Sequence, residues 1–121
     1  MNRGSALKWI TALQETDWEY EPSQLCFVVE DKTYGSAHGV LANFLDPNGW
    51  DEAWDEVTRT WHGMQFVLDA KTMKRVKMKN DPYTEIDFGG NRGQASFYDV
   101  EVSMSSHKEM ATFIEHHYEL L

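Results

Sequence analysis

Between Trp50 and Gly63 the chain reads WDEAWDEVTRTWHG, with three tryptophans, four carboxylates and one arginine in fourteen residues. No other stretch restricts the fold as strongly. Each indole favours burial of roughly 150–250 Å² of surface, while each carboxylate loses hydration inside, so the segment must present two distinct faces. Trp50, Trp54, Val57 and Trp61 recur at i, i+4, i+7 and i+11, which predicts an amphipathic helix. Asp51, Glu52, Asp55 and Glu56 fall beside or opposite that stripe, and acids in a first turn suit the helix dipole. Gly63 is placed to end the helix in the left-handed conformation. On this reading Trp54, Val57 and Trp61 enter the core, Trp50 stays partly exposed, and the carboxylates face water.

The flanks supply the remaining elements. Ser5 is positioned to cap a first helix whose stripe is Ala6, Trp9, Ile10 and Leu13. Pro22 stops helix formation in ETDWEYEPSQ, which reads as a loop, and QLCFVVED reads as a strand followed by a turn at KTYG. Ser36 caps a second helix, AHGVLANFL, and DPNG (46–49) forms a tight turn. The alternation in MQFVLD and MKRVKMK predicts a hairpin around AKT. YTEIDF and ASFYDVEVSM predict a second hairpin across GGNRGQ, with Tyr98, Val100, Val102 and Met104 on one strand face. Ser106 and Glu109 form a capping box for a C-terminal amphipathic helix with Met110, Phe113, Ile114, His117, Tyr118 and Leu121 inward. The expected architecture is a single α+β domain over 1–121: an antiparallel sheet of four to five strands, in two hairpins, packed with three or four helices.

Charge narrows the function classes. The chain carries 20 acidic and 11 basic residues, a formal net charge of −9. Such a field repels nucleic acid and anionic membrane and favours a basic partner. Cys26, the only cysteine, lies in an apolar run and is expected to be a buried, inert thiol. MNRGSALKWI lacks the apolar segment of a secretion signal, and no apolar run is long enough to span a membrane, so a cytoplasmic setting is expected.

Catalytic patterns are sparse. His107, His116, His117, Glu115 and Glu119 crowd the last helix without the i, i+4 histidine pair of a zinc helix, so no metal site is expected. No GxSxG elbow occurs, and no cofactor is implied. Lysines between Lys71 and Lys79 lack interleaved aromatics for base stacking, which leaves a solvated face. GGNRGQ joins two expected strands and reads first as a hairpin loop. An alternative makes Gly90, Asn91, Arg92 and Gly93 a ligand loop for a nucleotide-like molecule, with His38 or His62 lining the pocket.

Three short motifs, KWITAL (Lys8–Leu13), HGVLANF (His38–Phe44) and EVTRTWHG (Glu56–Gly63), resemble those of small uncharacterised proteins of tailed phages and prophages. The likeness spans about half the chain. It departs where that group often carries paired cysteines before GVL, for Ser36, Ala37 and His38 stand there instead. The resemblance implies a phage-type accessory protein and carries over no catalytic residue. Joined to the charge, it leads to the expectation of a non-enzymatic inhibitor or binding protein acting on a host or defence protein. Its contact residues would be Asp51, Glu52, Asp55, Glu56, Trp18, Tyr20 and Trp50, with the carboxylates able to occupy a basic nucleic-acid-binding site. A toxin-neutralising immunity protein would share these features. Oligomeric state is not legible in the sequence.

Overall fold

The computed structural model describes residues 1–121. Two helices in the first half of the chain form where periodicity and a cap coincide. Helix α1 spans Arg3–Glu15 and buries Ala6, Trp9, Ile10, Ala12 and Leu13; its cap is Asn2, which accepts the Ser5 N–H, so Ser5 sits inside the first turn. Helix α2, Ala37–Leu45, is capped by Ser36, whose hydroxyl accepts the Gly39 N–H at 3.1 Å.

Five strands, β1 (Glu19–Tyr20), β2 (Cys26–Val29), β3 (Lys32–Gly35), β4 (Trp50–Glu52) and β5 (Thr58–Trp61), make one sheet in the order β1-β3-β2-β5-β4. Only the β1–β3 pair is parallel. A short helix α3, Ala70–Arg75, follows the sheet. Strands β6 (Glu85–Asp87) and β7 (Gln94–Ser96) then form a separate antiparallel hairpin, and α4 (Phe97–Ser103) and α5 (His107–His117) complete the chain with a last 3-10 turn, Tyr118–Leu120. The class is α+β, as the pattern predicted. Ser106 accepts the Glu109 N–H, but the Glu109 carboxylate returns to the Ser105 N–H, one residue upstream of the expected box.

Four local expectations are overturned. The helix expected over 50–63 is the β4–β5 hairpin. Asp55 accepts the Val57 and Thr58 N–H groups and the Thr58 hydroxyl, a side-chain turn that competes with helical bonding. The β-branched and aromatic run after it then extends, and Trp50 pairs with Trp61. KTYG is strand β3 and not a turn; the chain reverses at Glu30–Asp31, both with positive φ (49° and 66°), in a two-residue hairpin loop. The hairpin expected over 64–79 is replaced by α3, because Asp69 accepts the Thr72 N–H and caps a helix. ASFYDVEVSM is strand only to Ser96. There Ser96 and Asp99 form a true capping box, and Phe97, Val100 and Glu101 turn inward at helical spacing while Val102 faces out.

The core gathers around α1, which packs against α2 and α5. Trp9 is wholly buried, donates its indole N–H to the Ala37 carbonyl at 2.7 Å, and stacks on His38 and Phe97 at 5.1 and 5.5 Å. Burying one such ring contributes on the order of 3 kcal/mol. Gly39 lets α2 settle on the Leu25 backbone, since a Cβ there would stand 1.7 Å from the Leu25 carbonyl oxygen.

Candidate functional site

The β4–β5 hairpin is anchored at its base and bare at its tip. At the base, buried Trp61 meets Trp50 at 5.1 Å, and Trp50 meets Trp18 at 6.1 Å. The Trp50 indole N–H donates to Asn43 at 3.2 Å, and the Trp61 indole N–H to the Thr72 hydroxyl at 3.1 Å. Beyond β5, His62 and Gly63 (φ 50° and 82°) close a second two-residue turn, in which Trp61 and Met64 exchange both backbone bonds at 2.8 Å. The left-handed conformation expected at Gly63 is present, serving a hairpin rather than a helix end.

At the tip stands Trp54, 95 % exposed, with Val57 37 % exposed nearby. Both were expected in the core. The exposed carboxylates Asp51, Glu52, Asp55 and Glu56 flank the ring along the same hairpin. Asp55 holds the turn, and the Thr58 N–H and hydroxyl, with the Val57 N–H, keep its carboxyl below the ordinary range. Arg59 pairs across the ladder with Glu52, yet its Nη1 donates to the Glu56 and Val57 carbonyls at 3.1 and 2.9 Å. The one base of the stretch is thus turned onto backbone. The Glu30–Asp31 turn projects at the same end of the sheet, for β2 and β5 run antiparallel with the Val28 N–H on the Val57 carbonyl.

The residues expected at a partner surface therefore divide. Asp51, Glu52 and Glu56 are exposed with Trp54, Asp55 is exposed but structurally committed, and Trp18 and Trp50 are half-buried in the aromatic row beneath. Tyr20 does not join them. It lies on the opposite sheet edge, gives its hydroxyl to the Glu101 carbonyl, and meets the His107 ring edge-on at 4.9 Å. Trp54 was the residue missed. An acid two residues before an N–H that it can accept, followed by Val-Thr-Arg-Thr, is the signal that could have found it.

A second candidate lies at the expected ligand loop. Gly90, Asn91, Arg92 and Gly93 do connect β6 and β7, with positive φ at Gly89, Gly90 and Gly93 (73°, 58° and 59°). Arg92 reaches over α5, its guanidinium 5.2 Å from the centre of the Phe113 ring. A groove of about 360 Å³ opens there, lined by Arg92, Glu109, Thr112, Phe113, His116 and His117 among others. His38 and His62, expected beside this loop, do not line it. His38 is buried against Trp9 and Phe97, where desolvation lowers it to about 4, and His62 is exposed beside Trp61. No three His, Cys, Asp or Glu side chains converge as metal ligands, and no helix is long and apolar enough to cross a membrane.

The chain matches no protein-family profile, no curated protein and no solved structure.

Proposed function

We propose that this protein is a non-enzymatic binding protein that docks the tip of its β4–β5 hairpin onto a basic surface of a partner protein. The single observation that carries the reading is Trp54, an indole 95 % exposed between carboxylates at the end of an anchored hairpin. A ring that gains nothing from the fold is free to gain from a partner, and tryptophan is enriched among residues that dominate binding energy. Asp51, Glu52 and Glu56 would form the charged rim that sets orientation and rate of approach, while Trp54 fills a pocket. The phage-type resemblance and the net charge of −9 fit a cytoplasmic inhibitor of a host or defence protein, including one with a nucleic-acid channel.

The test immobilises three proteins: the wild type, Trp54→Ala, and Asp51→Asn/Glu52→Gln/Glu56→Gln with Asp55 left to hold the turn. A true partner is retained by the wild type, is lost from Trp54→Ala by roughly 30-fold or more, and binds more weakly as salt rises. The triple variant should slow association more than it speeds dissociation. A partner held equally by Trp54→Ala would end the hairpin reading.

A further inference from the structure

The groove beside Arg92 is built from different elements than the hairpin and asks for different chemistry. This chain has 20 acidic and 11 basic residues, so a concavity lined mainly by bases runs against its overall charge. Here three basic side chains, Arg92, His116 and His117, line one concavity of about 360 Å³ with a single carboxylate, Glu109. That carboxylate is engaged, accepting the Ser105 N–H at 3.1 Å. The Arg92 guanidinium rests on the Phe113 ring rather than on an acid, which fixes its stem and leaves its N–H groups to the groove. His117 is wedged between Phe113 and Phe88, at 4.7 and 5.5 Å, so its ring is oriented by packing. Desolvation first, and then the neighbouring Arg92 and His116, hold His117 below its ordinary value. An anion held between these side chains would oppose that lowering. The glycines of the loop pack against nothing, since a Cβ on Gly89, Gly90 or Gly93 would meet no atom within 4 Å. No side chain from these positions screens the approach to Arg92.

We propose that the groove between the β6–β7 loop and the C-terminal half of α5 binds a phosphate group, held by the Arg92 guanidinium together with the His116 and His117 imidazoles. Donors on three side chains suit a tetrahedral anion with oxygens in several directions better than a planar carboxylate. The volume leaves room for more than the anion, so the phosphate is either free or the terminal group of a small phosphorylated molecule.

The test follows the histidine ring protons by NMR at about pH 6. Inorganic phosphate is titrated against chloride at constant ionic strength. The His116 and His117 signals should move together and saturate in the range of about 1–10 mM, while His62 stays still. His116→Gln, on an exposed side chain, and Arg92→Ala should each weaken binding by roughly tenfold. Glu109→Gln should tighten it severalfold by removing the one opposing charge. A nucleoside monophosphate titrated in parallel separates the two sources: a lower half-point with shifts at Phe113 assigns an esterified phosphate, and equal half-points assign the free ion. If the two histidines are there only to match the carbonyl end of α5, His116 and His117 will respond no more than His62. That result, or wild-type titrations from both Arg92→Ala and Glu109→Gln, would overturn the site.

Discussion

Replacing Glu101 by glutamine should make this protein more stable at alkaline pH and leave it unchanged near pH 4. Glu101 lies on α4 and is 1 % exposed. Its Oε2 accepts the Ala37 N–H at 2.7 Å, at the start of α2. Burial lifts the carboxyl from 4.5 to about 8; the Ala37 N–H opposes the rise and the charge of Glu21 adds to it. Between those two values the folded protein holds a proton that the unfolded chain has released. Stability therefore falls as pH climbs through the window and levels off above about 8. At about 1.4 kcal/mol per pH unit the gap sets an upper bound of about 5 kcal/mol, of which water entry on ionisation relieves part. Glutamine keeps an acceptor for Ala37 and has no proton to lose. Urea unfolding followed by tryptophan fluorescence, from about pH 4 to about pH 9, gives the comparison directly. The two proteins should coincide at the acid end and diverge by about 2–5 kcal/mol at the alkaline end. The Met1 amino group also titrates in this range, but in both proteins, so it cancels in the difference. Parallel curves would refute the buried acid.

Three further outcomes follow from the packing. His107 is buried with neither ring nitrogen hydrogen-bonded, and desolvation lowers it to about 4 against a lesser opposing pull from the Glu19 carbonyl. Its contribution is complete above the ordinary 6.5 and lost as pH falls toward 4, so His107→Phe should flatten that acid limb and raise the neutral-pH stability by about 1 kcal/mol. Gly39→Ala drives a methyl to within 1.7 Å of the Leu25 carbonyl oxygen, and the shift of α2 that it forces should cost about 3 kcal/mol or more in urea titrations. Glu30→Asn with Asp31→Gly suits both left-handed positions of the β2–β3 turn, and should raise the thermal midpoint by an amount equivalent to about 1 kcal/mol.

Helices α2 and α5 were legible because an apolar stripe and a capping side chain marked the same boundaries, and α1 by its stripe alone, since its cap is Asn2 and not Ser5. The GGNRGQ connection was legible because glycines must cluster where φ turns positive. The tryptophan segment misled for a physical reason. Positions 50, 54, 57 and 61 fit a helical stripe, but a ladder that pairs 50 with 61 and reverses through Asp55 fits the same letters. Choosing between them depends on whether β5 finds β2 beside it, and that contact is invisible in a local window. Similarly, Glu101 read as the outward side of an alternating strand until the Ser96–Asp99 box turned the backbone into a helix and pointed it inward. The acids of the candidate surface were legible as solvent-facing, since carboxylates rarely bury. The exposure of Trp54 was not, because it is decided by the turn beneath it.

That exposure gives the protein a built-in optical label. Of its five indoles, Trp9 and Trp61 are sealed in the core and Trp18 and Trp50 sit half-covered in a row with Trp61, close enough to exchange excitation. Trp54 alone stands fully in water. Its fluorescence should lie at the red edge of the spectrum and yield first to acrylamide. Caesium should quench it better than iodide, because the surrounding carboxylates gather cations and repel anions. Closure of a partner over the tip would then register as a blue shift and a loss of quenching, with no dye attached and no residue changed.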